Sequence, residues 1–188
     1  MLRLTPAKRL RVLDFDIENR PLSYLGMDFT TAEITSIAAS FEGERQIHTW
    51  LLGVDDMETI LEEFRVLYDE ADIVTGHYVR HHDLPIISGM LLEAELPKLS
   101  PKLVSDTKVD LKAAKGISKS QENLSAMFGL RAPKVQMNTP KWRAANRLTP
   151  EGIALTRKRV EGDIKQHKQL RARLIELDML RPPTLWKP

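Results

Sequence analysis

The chain contains no cysteine and no long apolar run, and each absence excludes a class of protein. Without thiols there can be no disulfide framework, thiolate zinc site, iron–sulfur cluster or cysteine nucleophile, so any metal must be held by Asp, Glu or His. No apolar stretch approaches the roughly 18–20 residues of a membrane helix, and residues 1–10 lack the apolar centre and cleavage site of a signal peptide. We therefore expect a cytoplasmic protein without a membrane partner.

The composition is that of an ordinary globular protein. Hydrophobic residues make up 42% of the chain and charged residues 29%, which excludes collagen-like and broadly disordered chains. The length of 188 residues is close to the usual size of one domain and is sufficient to bury a proper core. The prediction is a single domain over residues 1–188, with a short proline-rich tail at 181–188.

Charge is distributed unevenly, although the formal net charge is only +2. Residues 1–100 carry 18 acidic and 9 basic side chains, whereas residues 101–173 carry 17 basic and 6 acidic ones. An acidic half that gathers cations beside a basic half that holds phosphates suggests a metal-dependent reaction on a polyanion. The alternative is two solvated faces of opposite sign.

Apolar periodicity predicts an α/β fold with a mixed five-stranded sheet flanked by helices. The first three strands form an antiparallel meander, with a turn predicted at 19–23, and strands that alternate with helices follow. The predicted strands are 9–18, 33–41, 46–52, 72–76 and 102–106, and the predicted helices are 55–70, 83–95, 120–128 and 149–178.

The first strand carries an acidic face. Asp16 and Glu18 are two residues apart and therefore point to the same side of a strand, where two carboxylates can share one ion or a pair of ions. Asp14 has the same parity but lies deeper, and we interpret it as a hydrogen-bonded structural group. Acid-x-acid pairs also occur on solvated strand faces, so this pair alone leaves both interpretations open.

Three blocks of sequence together resemble the DEDD-type 3′-to-5′ exonucleases. They are FDIEN at 15–19, GHYVRHHDLPI at 76–86 and EGDI at 161–164. The order and spacing are most similar to the exonuclease domain of family-B DNA polymerases and its stand-alone relatives. The resemblance implies a ribonuclease H-like fold, in agreement with the order of strands and helices inferred independently.

The resemblance also implies a site and an activity. Asp16, Glu18, Asp83 and Asp163 would hold two divalent ions, Mg²⁺ or Mn²⁺, across a scissile phosphate. The implied reaction is 3′-to-5′ hydrolysis of DNA at single-stranded or frayed ends, in replication, repair or proofreading. The implied partners are DNA and a DNA polymerase or another replisome component.

The sequence departs from the family pattern at the residue that acts on the attacking water. Where relatives have Tyr or His, this chain has Arg159, which stays protonated and cannot accept a proton, although it can stabilise or grip a phosphate. His81 and His167 are the candidate replacement bases, and His77 is expected to support its loop through hydrogen bonds. Tyr78 stands where relatives have Asn, and His82 replaces an aromatic residue.

Basic and aromatic residues in the second block and around the third predict a nucleic-acid interface. Their side chains would track strand phosphates or stack on bases, whereas each basic residue taken alone is an ordinary surface charge. The predicted interface residues are Tyr78, His82, Lys141, Trp142, Arg143, Arg147 and Lys158.

Two other functions remain open from the sequence. A nuclease-like protein with weak catalysis, which binds DNA or a polymerase, is suggested by Arg159. A ribonuclease or structure-selective endonuclease of the same fold is also compatible, because the carboxylates neither choose the sugar nor require a free end.

Overall fold

The computed structural model describes residues 10–23, 30–112, 115–130 and 135–188. These residues form one six-stranded sheet in the order β3-β2-β1-β4-β5-β6. The strands are β1 (Val12–Ser23), β2 (Thr30–Phe41), β3 (His48–Leu51), β4 (Ile73–Gly76), β5 (Lys102–Asp106) and β6 (Thr184–Trp186).

Five helices are present in the described parts of the chain, and several begin at side-chain caps. The helices are α1 (Met57–Glu70), α2 (Asp83–Glu93), α3 (Gln121–Met127), α4 (Thr139–Asn146) and α5 (Pro150–Glu176). The Asp56 carboxylate caps α1 by accepting a 2.9 Å hydrogen bond from the Thr59 N–H, and the Thr149 hydroxyl caps α5. None of these helices is long and apolar enough to cross a membrane.

Strand directions confirm the predicted mixed α/β fold of the ribonuclease H-like type. β1 and β2 pair antiparallel, as do β2 and β3, and this is the predicted meander. β4 and β5 continue the sheet parallel to β1, and their connections run through helices. The first strand is therefore central, with neighbours on both edges.

The sheet has one strand more than predicted, because part of the proline-rich tail forms β6 and joins it. β6 pairs antiparallel with β5, which places Trp186 opposite Lys102 and packs the Trp186 side chain against the main core. A three-residue strand after two prolines gives too short a pattern for alternation to reveal it.

The turn predicted at 19–23 was also wrong, since β1 runs through it. The register with β2 shifts between Glu18 and Asn19, and the strand continues through Pro21 to Ser23. Such a bulge changes the twist of a strand and is common beside functional sites. Helix α4 was not predicted either, since it lies between the predicted helices at 120–128 and 149–178.

Two layers of helix cover the two faces of β1. Leu13, Phe15 and Ile17 are buried on the face that packs against α1 and α2. On the opposite face, α5 lies across β1 and β2, where Val160 and Ile164 contact Ala38. The acidic face of β1 therefore lies under α5.

Trp186→Ala should lower the free energy of unfolding by about 2 kcal/mol, less than the 3–5 kcal/mol typical of a fully buried aromatic residue, because Trp186 is only partly buried. Urea denaturation would measure the change. Leu185→Ala is the matched control on the other face of β6, where Leu185 is 55% exposed, and it should change stability by less than about 0.5 kcal/mol. Equal effects of the two variants would contradict this packing.

Candidate functional site

Three carboxylates from two elements meet over the acidic face of β1. Asp16 and Glu18 extend from β1, and Asp163 descends from α5. One carboxylate oxygen from each side chain lies within 4.8 Å of the others, which is close enough for a single metal ion to contact all three. The structure therefore brings together three of the four predicted acidic residues in one cluster.

The fourth predicted residue, Asp83, lines the same pocket but lies beside this cluster. It is the first residue of α2, and its Oδ1 accepts a 3.1 Å hydrogen bond from the Ile17 N–H of β1. The side chain is buried, at 2% exposure. Asp83 is thus held against the strand that carries Asp16 and Glu18.

Carboxylates packed so closely resist ionisation. Burial raises the pKa of Asp16 well above its usual value, and the nearby charges of Asp83, Asp163 and Glu18 raise it further. Burial also raises the pKa of Asp83 to about 7. Hard oxygen donors with this much mutual repulsion are a donor set suited to a divalent cation such as Mg²⁺ or Mn²⁺.

Arg159 supplies positive charge directly to the cluster. Its Nε donates a hydrogen bond to the Glu18 carboxylate, and its Nη2 lies 3.7 Å from Asp163 Oδ2. Burial acts to lower the pKa of Arg159, but Glu18 and Asp163 outweigh it and the pKa is raised. Its side chain is 17% exposed. Arg159 is therefore a permanent cation inside this cluster.

The loop between β4 and α2 is held in a strained shape by one carboxylate. Tyr78 has a φ of +73°, a conformation that costs a residue with a side chain of this size about 1–3 kcal/mol. The Asp106 carboxylate accepts hydrogen bonds from the backbone N–H groups of Tyr78 and Arg80 and of Lys108 and Val109. The sequence predicts Asp106 only as the last residue of a strand.

Gly76 explains how this loop can pass so close to β1. A Cβ at position 76 would lie 2.2 Å from Val79 Cγ1 and 2.7 Å from the carbonyl oxygen of Phe15. Only glycine fits there, so the chain turns immediately beside the strand that carries the carboxylates.

The acidic cluster opens into a polar pocket of about 300 Å³. Several of its lining residues were not predicted as part of the site, among them Lys108, whose Nζ lies 3.8 Å from the centre of the Tyr78 ring, and Ser120, Gln121 and Glu122 at the start of α3. Gln121 Nε2 donates a 3.1 Å hydrogen bond to the Asp163 carbonyl oxygen and so ties α3 to α5. No signal in the sequence connects these residues to the distant acidic blocks.

Neither predicted base histidine lines this pocket. His81 is exposed and its ring lies against that of Tyr78, with ring centres 5.5 Å apart. His167 is buried, and both of its ring nitrogens are engaged: Nδ1 lies 2.8 Å from the Asp14 carboxylate, and Nε2 lies 2.9 Å from Thr107 Oγ1. Asp14 is thus a hydrogen-bonded interior group, as predicted.

Two other histidines do line the pocket, His77 and His82. His77 Nδ1 lies 2.9 Å from Thr107 Oγ1, which agrees with its predicted role in supporting the loop. Burial lowers the pKa of His77 to about 4, so its imidazole is neutral near pH 7. His82 stands immediately before Asp83 and is largely exposed.

The predicted nucleic-acid residues of α4 and α5 lie beside the site rather than in it. The Trp142 ring packs 5.2 Å from the Arg159 guanidinium carbon and so connects α4 to the acidic cluster. Lys141 Nζ donates a 2.7 Å hydrogen bond to the Gln136 carbonyl oxygen. The remaining predicted residues on these helices are exposed: Arg143, Arg147 and Lys158.

Comparison with known proteins supports the fold. No protein-family model and no curated protein matches the chain. Among solved structures, the chain is similar to the family B DNA polymerase from the hyperthermophilic archaeon Pyrobaculum calidifontis, with a TM-score of 0.66 and 17% sequence identity. The alignment covers 89% of this chain but only 25% of the polymerase. The similarity is therefore one of fold to a part of that enzyme.

Asp83→Asn should stabilise the metal-free protein at pH 8. The folded protein keeps a proton on Asp83 up to about pH 7, whereas the unfolded chain releases it near 3.8, so stability falls as the pH rises between these values. Asparagine keeps an oxygen for the Ile17 N–H and removes the charge. We expect a melting temperature higher by roughly 3 °C or more at pH 8 with chelator present.

The advantage of the Asn variant should shrink at pH 5, where the wild-type carboxyl is protonated in the fold. Thermal melts at both pH values measure the effect. An Asn variant that is no more stable than wild type at pH 8 would show that charge at Asp83 does not destabilise the pocket.

Proposed function

We propose that this protein is a metal-dependent 3′-to-5′ exonuclease of the DEDD type that acts on DNA. The observation that carries the proposal is the convergence of four carboxylates, Asp16, Glu18, Asp83 and Asp163, on one pocket from β1, α2 and α5. The similarity of fold to part of a DNA polymerase supports it. These carboxylates would hold Mg²⁺ or Mn²⁺, and the resemblance in sequence implies two ions.

The proposed reaction is hydrolysis of the terminal phosphodiester bond. The oxygen of a water forms a bond to phosphorus, the bond from phosphorus to the 3′-oxygen breaks, and one proton of the water ends on that leaving oxygen. A bound divalent ion acidifies water and stabilises the negative charge that develops on the phosphate. Arg159 provides fixed positive charge toward the phosphate from the α5 side of the pocket.

Residues at the rim would hold the DNA strand. Tyr78 is exposed beside the pocket, with the Lys108 ammonium over its ring, so an aromatic face and a phosphate-binding cation lie together. On the other side, Trp142 and the exposed basic residues of α4 and α5 offer a second surface of the same kind. Aromatic stacking favours unpaired bases, which supports single-stranded or frayed ends as the substrate.

The biological role that we propose is DNA replication, repair or proofreading. The solved structure of similar fold is a DNA polymerase, and this chain corresponds in extent to only a quarter of it. In such a role the domain would act together with a DNA polymerase or another replisome component.

One observation favours a second candidate function, DNA or polymerase binding without efficient catalysis. Arg159 is bound to Glu18 and cannot accept a proton from water, and neither His81 nor His167 lines the pocket. A protein of this kind would bind metal and DNA but leave the DNA intact.

Degradation of single-stranded DNA labelled at its 5′ end, in Mg²⁺ and in Mn²⁺, tests the proposal. We expect a ladder that shortens stepwise from the 3′ end, and a loss of about 10²-fold or more in rate for Asp16→Ala, because a central ligand is removed. Glu62→Gln, an exposed change on α1, is the matched control and should retain full activity.

Two further substrates separate the alternatives. A DNA strand with a blocked 3′ end should resist an exonuclease but not an endonuclease, and an RNA strand of the same sequence tests the choice of sugar. Intact DNA in the presence of wild-type protein that demonstrably binds Mn²⁺ and DNA would overturn the proposal in favour of the binding function.

Tyr78→Ala should weaken binding of single-stranded DNA by roughly 5- to 150-fold, since stacking of one base on an aromatic ring contributes about 1–3 kcal/mol. Fluorescence anisotropy in the presence of chelator would measure binding without hydrolysis. Tyr78→Phe keeps the ring and should bind as wild type does.

A 3′-terminal abasic nucleotide makes the assignment more specific. It should weaken binding to wild-type protein and have little effect on Tyr78→Ala, because the variant has already lost the stacked base. Equal losses for both proteins would show that Tyr78 does not contact the terminal base.

A further inference from the structure

The guanidinium of Arg159 lies within the carboxylate cluster and supplies positive charge to it. It contacts Glu18 and Asp163, two of the three side chains whose oxygens converge within 4.8 Å. We propose that Arg159 takes the place of one divalent cation, so that this pocket binds a single divalent ion beside a fixed guanidinium. This inference rests on the proposed metal site and concerns how many ions that site holds.

The guanidinium is anchored on sides that do not belong to the cluster. Nη1 donates a 3.3 Å hydrogen bond to the Val135 carbonyl oxygen, and the Trp142 ring packs 5.2 Å from the guanidinium carbon. The side chain is 17% exposed. An arginine held by a carbonyl, an aromatic ring and two carboxylates is a built part of the pocket rather than a surface side chain that happens to reach it.

Helix geometry keeps Arg159 at the site. Arg159 precedes Asp163 by four residues on α5, so the two side chains lie on the same face of the helix. The arrangement of α5 that brings the Asp163 carboxylate to the cluster therefore brings Arg159 to the same side of the pocket.

Charge and geometry then limit the number of metal ions. The same two carboxylates, Glu18 and Asp163, would have to serve the guanidinium and an ion placed between them, and the two cations would repel each other at close range. The guanidinium forms its ion pairs with Glu18 and Asp163, so Asp16 and Asp83 would be the main ligands of an ion, and that ion would relieve their mutual repulsion. The arrangement favours one ion there.

Counting bound Mn²⁺ tests this inference without reference to nuclease activity. Calorimetric titration of the full chain, together with electron paramagnetic resonance of bound Mn²⁺, should give one ion per wild-type chain. Arg159→Gln and Arg159→Met remove the charge, the second with little change in volume, and each should bind two ions. Arg157→Gln is the matched control on α5, because Arg157 is exposed and outside the pocket, and it should bind one ion.

The outcomes are distinct. Two ions on the wild-type chain would overturn the inference and leave the proposed exonuclease function standing, and this result needs no variant. One ion on wild type and one on both Arg159 variants that fold would also overturn it. A wild-type chain that binds no Mn²⁺ would contradict the proposed metal-dependent function itself, and the inference would fall with it.

Discussion

Electrostatic repulsion among carboxylates is the constraint on which the rest of the site depends. One oxygen each of Asp16, Glu18 and Asp163 lies close enough for a single ion to contact all three, and Asp83 adds a fourth carboxyl group to the same pocket. This arrangement lowers the stability of the fold, because burial raises the pKa of Asp16 and of Asp83 and so opposes their ionisation. The apolar core beneath β1 and the positive charge of Arg159 stabilise the fold against this repulsion.

The position of α5 decides whether this cluster exists at all. The helix reaches the sheet because Ala38 presents little bulk to Val160 and Ile164, and its first turn packs tightly on α4. At Gly152 a Cβ would lie 2.2 Å from the Ala144 carbonyl oxygen, so only glycine permits this approach. One helix contact thus fixes the positions of both the Asp163 carboxylate and the Arg159 guanidinium beside it.

Much of this could be predicted from the sequence because the relevant signals are local. Alternation along β1 indicated which side carries Asp16 and Glu18, and cap residues marked the starts of α1, α3 and α5. The fold class followed from the order of elements. β6 was missed because three residues cannot show a period, and continuation of β1 past Pro21 was missed because a proline normally ends a strand. Lys108 and Gln121 reach the pocket only through tertiary packing.

The Asp106 carboxylate has a consequence for the cost of ligand binding. The carboxylate accepts hydrogen bonds from the amides of Tyr78 and Arg80, which follow β4, and from those of Lys108 and Val109, which follow β5. Both segments at the pocket therefore lose their conformational freedom during folding. A ligand that meets these segments encounters an exposed ring and an ammonium group in a rigid frame. Because these segments are ordered before the ligand arrives, binding carries a smaller loss of conformational entropy, and contacts at the rim contribute more fully to affinity.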